Sequence, residues 1–196
     1  MNSICVFCGA SPGLRPDYLE AARLVGRTIA ETGIRMVYGG GAVGMMGAVA
    51  DACLDAGGEV TGVITEQLSD LEVGHDNLTS LEVVKSMHDR KARMADLSDG
   101  FVALPGGIGT LEEMFEVFTW AQLQLHAKPC GLLNVEGYYD DLHAFLQHSV
   151  QERFLLAEHG EMLLLDENFE NLLARMLNFE PIHLEKWVDR KISGAG

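Results

Sequence analysis

The sequence predicts an α/β fold: a doubly wound parallel sheet in a single domain. Three observations carry that expectation. Short apolar runs alternate with amphipathic stretches along the 196 residues, as strands alternating with crossover helices should. The first run, Ile4-Cys5-Val6-Phe7-Cys8, is apolar at every position, which suits a strand covered on both faces rather than one half exposed to water. Glycine-rich turns follow Cys8, Tyr38 and Leu104, each at the end of such a run. In a parallel sheet with right-handed crossovers these turns fall on one edge and can line a single crevice.

In chain order, the first strand at 4–8 leads into the turn Gly9-Ala10-Ser11-Pro12-Gly13. Residues 18–32 then read as an amphipathic helix, with Leu19, Ala22, Val25 and Ile29 on one side and Gly33 as its stop. A strand at 35–38 runs into Gly39-Gly40-Gly41-Ala42-Val43-Gly44, followed by a small-residue helix at 45–56 and a strand at 59–64. Residues 67–81 are polar and weakly patterned and read as loop. A short strand at 81–84 and a helix at 87–97 come next. The strand at 100–104 delivers the turn Pro105-Gly106-Gly107, and behind it Met114, Phe115, Val117, Phe118, Ala121 and Leu125 recur at helical spacing. A strand at 128–133, helices at 138–148 and 149–156, a strand at 162–165 and a helix at 168–177 complete the alternation.

Composition removes several classes of function. A net charge of −15 argues against nucleic acid or an anionic membrane as partner, because either requires a basic face. The longest uncharged run, 36–50, is glycine-rich and shorter than the roughly 20 residues of a membrane span. The N-terminus lacks the pattern of a secretory signal, and four cysteines do not form a disulfide framework, so a cytoplasmic protein with free thiols is expected. Cys5 and Cys8 are spaced CxxC, but an offset of three in a strand puts them on opposite faces. Seven histidines show no metal-binding spacing, so no metal is expected.

The stretch from Leu104 to Glu113 concentrates the chemistry. Glycines let the backbone approach a ligand closely, and a helix N-terminus offers free N–H groups to an anion. Two acids, Glu112 and Glu113, sit where an anion would bind, which suggests a phosphorylated substrate with chemistry beside the phosphate. Thr110-x-x-Glu113 also fits a capping box, in which the glutamate merely satisfies the helix start. Gly39-x-Gly41-x-x-Gly44 fits a dinucleotide fingerprint, but Glu59 begins the next strand and Glu66 follows it, so neither acid ends that strand to hold a ribose. On the helix at 87–97, Met87, Arg90 and Met94 share a face with Lys91 close by, and a cation on an apolar face wants an anion opposite. The alternative is an Arg90 whose stem covers core while its head reaches water.

These residues resemble a known family. The run Pro105 to Glu113 looks like the PGGxGTxxE signature of the LOG proteins, the cytokinin riboside 5′-monophosphate phosphoribohydrolases, often labelled lysine decarboxylases. Residues 87–94 are similar to their MHxRKxxM segment, 38–47 to their YGGGxxGLMG, and 8–13 to their CGSSxG, with Ala10, Pro12 and Met45 departing from the pattern. The resemblance implies a Rossmann-like homodimer that hydrolyses the N-glycosidic bond of AMP or N6-prenylated AMP. It implies catalysis by Glu113, which would stabilise the ribosyl cation, and by Arg90, which would stabilise the departing base. Substrate binding would fall to Ser11, Gly41, Gly44, Lys91, Glu72 and the run Gly106, Gly107, Ile108, Gly109, Thr110, Leu111 and Glu112. Of these, Glu112 points elsewhere on the helix and serves its dipole. No cofactor is expected; no glycine-loop lysine is placed to hold pyridoxal phosphate. Met94, Phe115, Phe118 and Trp120 could form an apolar pocket for a prenyl group or belong to the core. The competing expectation is a non-catalytic carrier of a phosphorylated ligand, like the molybdenum cofactor carriers of the same superfamily; the joint presence of Arg90 and Glu113 argues against it.

Overall fold

The computed structural model describes residues 1–72 and 74–181. In chain order it has β1 (Ser3–Phe7), α1 (Pro16–Glu31), β2 (Arg35–Tyr38), α2 (Gly44–Asp55), β3 (Val60–Thr65), α3 (Glu66–Glu72), β4 (Ser80–Val84) and α4 (Met87–Asp96). Then follow β5 (Phe101–Ala103), α5 (Ile108–Gln122), β6 (Cys130–Leu133), a 3-10 turn (Val135–Gly137), α6 (Asp140–Gln151), α7 (Ala157–Glu161), β7 (Leu163–Asp166) and α8 (Phe169–Leu177). Among the described residues the strands form one parallel sheet in the order β4-β3-β2-β1-β5-β6-β7. This is the doubly wound, Rossmann-like sheet that the alternation predicts. β1 lies between β2 and β5, so the strand order reverses there, and the crevice of such a sheet opens at the carboxyl ends of that pair.

The period-two alternation of β1 divides the core. Ile4, Val6 and Cys8 pack with Val25 and Ile29 of α1, Val49 and Cys53 of α2, and Leu172 and Met176 of α8. Cys5 and Phe7 face the other layer, against Met94 of α4 and Met114, Val117 and Phe118 of α5. Cys5 and Cys8 thus fall in opposite layers, and all four cysteines are free and buried. Met94 and Phe118 are core, while Phe115 and Trp120 pack half-buried against it. Among the described residues no helix is long and apolar enough to cross a membrane.

The structure departs from the sequence reading at several points. Residues 66–72 form α3 rather than loop: Thr65 Oγ1 accepts a hydrogen bond from Leu68 N at 3.3 Å and caps a turn whose side chains carry little periodicity. No second helix spans 149–156. α6 ends at Gln151 because Arg153 turns left-handed (φ 64°), and Phe154 N and Leu155 N both fold back onto Ser149 O. α5 starts at Ile108, with Gly107 as N-cap, so Thr110 lies inside the helix and cannot be the cap. That helix also stops at Gln122, leaving Leu125 beyond it and exposed.

Candidate active site

The three glycine turns are joined by their own backbones. Gly9 N donates to Pro105 O, and Gly9 O accepts from Met45 N, both at 3.1 Å. The turn after β1 therefore bridges the turns after β2 and β5. At Gly106 a Cβ would lie 2.8 Å from Gly9 N and 2.1 Å from Thr110 Oγ1, so only glycine allows this contact. Gly107 and Gly109 differ: a Cβ on either would meet nothing, and Ile108 between them is 81% exposed. The first N–H groups of α5 thus open onto solvent with no side chain capping them, an arrangement that can receive an anion. A cavity of about 330 Å³ adjoins them, lined by Ser11, Tyr18, Met45, Gly106, Gly107 and Tyr138 among others. A larger groove of about 560 Å³ runs between α1 and α2, but the charges on it, Arg23, Arg27, Asp51 and Asp55, are all exposed and solvated. The smaller cavity sits at the switch point and is the better placed for chemistry.

α4 delivers the cation. Ser86 caps it by accepting from Asp89 N at 3.1 Å, and its buried face holds Arg90, Lys91, Met94 and Ala95 rather than Met87, which is exposed. The Arg90 guanidinium lies under the carboxyl ends of two strands. Its Nε donates to Val63 O at 2.9 Å, its Nη2 to Gly39 O at 3.2 Å and its Nη1 to Glu113 Oε1 at 3.0 Å. Gly39 makes this seat possible, because a Cβ there would stand 2.0 Å from Nη2. Three of five guanidinium N–H groups are used, which leaves two for a ligand.

Glu113 is therefore not a cap. It sits in the second turn of α5 and pairs across the seam with Arg90, the two side chains being 13% and 8% exposed. Burial raises its pKa above the usual carboxylate range, and the attraction of Arg90 only partly offsets this. A buried carboxylate of raised pKa beside a guanidinium, one turn into the helix whose N-terminus is open to an anion, makes Glu113 a candidate catalytic group.

The remaining expected site residues divide into those brought together and those engaged elsewhere. Ser11, Gly106 and Gly107 meet at the cavity, with Ile108, Gly109, Thr110 and Leu111 continuing into α5. Gly44 lines the groove between α1 and α2, and Gly41 pairs with Gly74. Lys91 is committed to Glu112 and, at 3.1 Å, to Glu116, so this trio braces α4 against α5. Glu72 closes α3, and its side chain lies outside the described residues. Sequence reasoning missed Tyr18, Tyr138 and the Gly39 seat of Arg90; only the last had a signal, in the triple glycine after β2.

Comparison with known proteins identifies the family and the fold. A family model described as a possible lysine decarboxylase matches residues 46–176. The chain is 47% identical over 178 residues to a probable cytokinin riboside 5′-monophosphate phosphoribohydrolase, LOGL5, of Oryza sativa subsp. japonica, covering 91% of this chain and 72% of that one. It is 47% identical over 174 residues to the cytokinin riboside 5′-monophosphate phosphoribohydrolase of Rhodococcoides fascians, covering 88% of each. Among solved structures, the molybdenum cofactor carrier protein of Chlamydomonas reinhardtii superposes with a TM-score of 0.67 at 20% identity, covering 90% of this chain and 96% of that one. That last likeness speaks for the fold alone. With a family model spanning most of the chain and relatives near half identical along nearly all of it, the chain belongs to the LOG family, that of the cytokinin riboside 5′-monophosphate phosphoribohydrolases.

Proposed function

We propose that the protein hydrolyses the N-glycosidic bond of adenosine 5′-monophosphates, plain or N6-substituted, to free base and ribose 5-phosphate. The observation that carries this reading is Glu113, buried against Arg90 beside an uncapped helix N-terminus. The open N–H groups behind Gly107 hold the 5′-phosphate, with Ser11 across the cavity. As the bond from C1′ to the base nitrogen breaks, positive charge grows on the ribose and electron density moves onto the base. The Glu113 carboxylate stabilises the ribosyl cation and orients the water that adds to C1′. The two free N–H groups of Arg90 stabilise the departing base, and the proton released by the water as its hydroxyl adds to C1′ ends on the base nitrogen. Lys91, Glu112 and Glu116 keep α4 and α5 in register, so that Arg90 and Glu113 meet.

The same reading takes the protein to be a homodimer, for which exposed Leu123, Leu125 and Phe154 supply apolar surface, and to work in the cytoplasm, in keeping with its four unpaired cysteines. Incubation of the purified protein with AMP, following adenine and ribose 5-phosphate, tests the reaction; both products should appear in equal amounts. Tight binding of AMP and of other nucleoside monophosphates without release of any base would make this a carrier, the role named for its molybdenum-cofactor-binding structural relative.

A further inference from the structure

Tyr138 lies outside every motif of the site, yet its hydroxyl donates a 2.6 Å hydrogen bond to Gly106 O. Its neighbour Tyr139 donates one of the same length to Leu104 O. Both come from the short turn after β6, where Glu136 (φ 52°) and Gly137 (φ 70°) are left-handed in succession. A left-handed glutamate is a strained state, kept only where its surroundings fix it. Asn134 does so here: its Oδ1 accepts from Tyr139 N at 2.7 Å and its Nδ2 donates to Asp140 Oδ1 at 2.8 Å. Arg15 also meets the Glu136 carboxylate at 3.3 Å. The result is two consecutive tyrosines aimed at the backbone that leaves β5.

Core packing accounts for Tyr139, which is almost wholly buried. It does not account for Tyr138, which is 42% exposed and whose hydroxyl water could satisfy equally well. The geometry of the peptide gives the reason. No peptide bond in the described chain is cis, so the Gly106 carbonyl and the Gly107 N–H across the same bond point in opposite directions. A hydroxyl that holds the carbonyl fixes the N–H as well. Gly107 is the N-cap of α5, and the N–H at that position is one of the donors a helix start leaves without an intrahelical partner. Meanwhile the Tyr138 ring, met edge-on by Tyr18 at 5.7 Å, walls the cavity beside it.

We infer that Tyr138 is a positioning residue for the substrate phosphate: it locks the Gly106–Gly107 peptide so that the Gly107 N–H joins the α5 donors around the anion. This rests on the phosphate-holding part of the proposed function and not on the bond cleavage. Tyr138→Phe keeps the ring and removes the hydroxyl. The KM for AMP should rise about tenfold, the scale of one well-placed hydrogen bond, while kcat changes less than about twofold. Binding of ribose 5-phosphate, read by calorimetry, should weaken by the same factor, and binding of adenosine, which lacks the phosphate, should not change. An unchanged affinity for ribose 5-phosphate overturns the inference, as does an equal loss for adenosine and AMP, or no ribose 5-phosphate binding by the wild type. Calorimetry needs no turnover. A wild type that binds ribose 5-phosphate but releases no adenine would sink the hydrolase reading while the Tyr138 result still decides this one.

Discussion

Two ion pairs stand side by side on the seam between α4 and α5, and their basic members are equally buried. Arg90 and Lys91 are neighbours with side chains 8% and 9% exposed, and the acids they meet, Glu113 and Glu112, are neighbours too. The acids differ. Glu112 is half exposed, so solvent shares its charge. Burial draws the Lys91 pKa down, but Glu112 and Glu116 together outweigh it and leave the ammonium above its usual value, a relaxed pair in which each charge stabilises the other. Glu113 is held in the opposite state: even with Arg90 at 3.0 Å, burial keeps its carboxylate harder to ionise than a free one. Burial of a cation therefore does not mark the working pair. Under the proposed function, the mark is a charge kept at a cost.

The largest effect expected from breaking this contrast is on catalysis at Glu113. Glu113→Gln, which still offers Arg90 an oxygen, should lower kcat by on the order of 10³-fold in the AMP assay, the scale of losing a preorganised charge in a transition state. Its stability should move the other way. A folded-state pKa raised above the unfolded one gives stability that is complete below the unfolded value and is lost as pH rises through the folded value. The wild type therefore carries a deficit at pH 8 that the amide lacks, and the melting temperature of Glu113→Gln there should be at least as high. A large drop in that temperature would mean that the carboxylate is structural.

Arg90→Met comes next, because it leaves Glu113 buried without its partner and two strand-end carbonyls without a donor. About 3 kcal/mol of stability should be lost, read by urea unfolding at pH 8, with activity falling alongside. The deficit should shrink as pH falls and Glu113 takes up a proton.

A smaller effect sharpens the assignment of the working acid. The acid limb of kcat/KM, set by Glu113 in the free enzyme, should lie above the ordinary carboxylate range, with activity lost as pH falls through it. A limb at the usual carboxylate position would return the role to a solvated acid. The smallest effect belongs to the other pair: Glu112→Gln should cost less than about 1 kcal/mol, as solvated pairs do, and change kcat/KM less than about threefold. A loss near that of Glu113→Gln would erase the distinction.

The sequence made the sheet and the three turns legible, because each rests on local pattern: apolar runs and glycine punctuation. Helical spacing marked Arg90 as a cation in want of an anion but did not fix Glu113 as its partner, since that contact spans 23 residues. It left a helix start at Thr110 open, since a Thr-x-x-Glu pattern carries the same letters whether or not Gly107 has already opened the helix. α3 escaped because a short helix with little periodicity looks like a polar loop, and the end of α6 escaped because nothing in Arg153 announces a left-handed backbone. Tyr138 could not be found at all. Its bond to Gly106 spans 32 residues and depends on where a strained turn points a side chain.

The central place of β1 also orders events during synthesis. β1 can pair with β2 as soon as residue 38 has emerged, but its other edge pairs Cys5 with Phe101. At the roughly 5–20 residues per second of ribosomal synthesis, the second partner arrives about 3–13 seconds later. Through that interval a strand that is buried at every position in the finished fold holds one unsatisfied edge, the kind that recruits other chains. The crevice, which needs the turns of both strands, cannot exist until it closes. A nascent chain stalled before residue 101 would thus be both inactive and prone to aggregate, and chaperone demand should peak in that window.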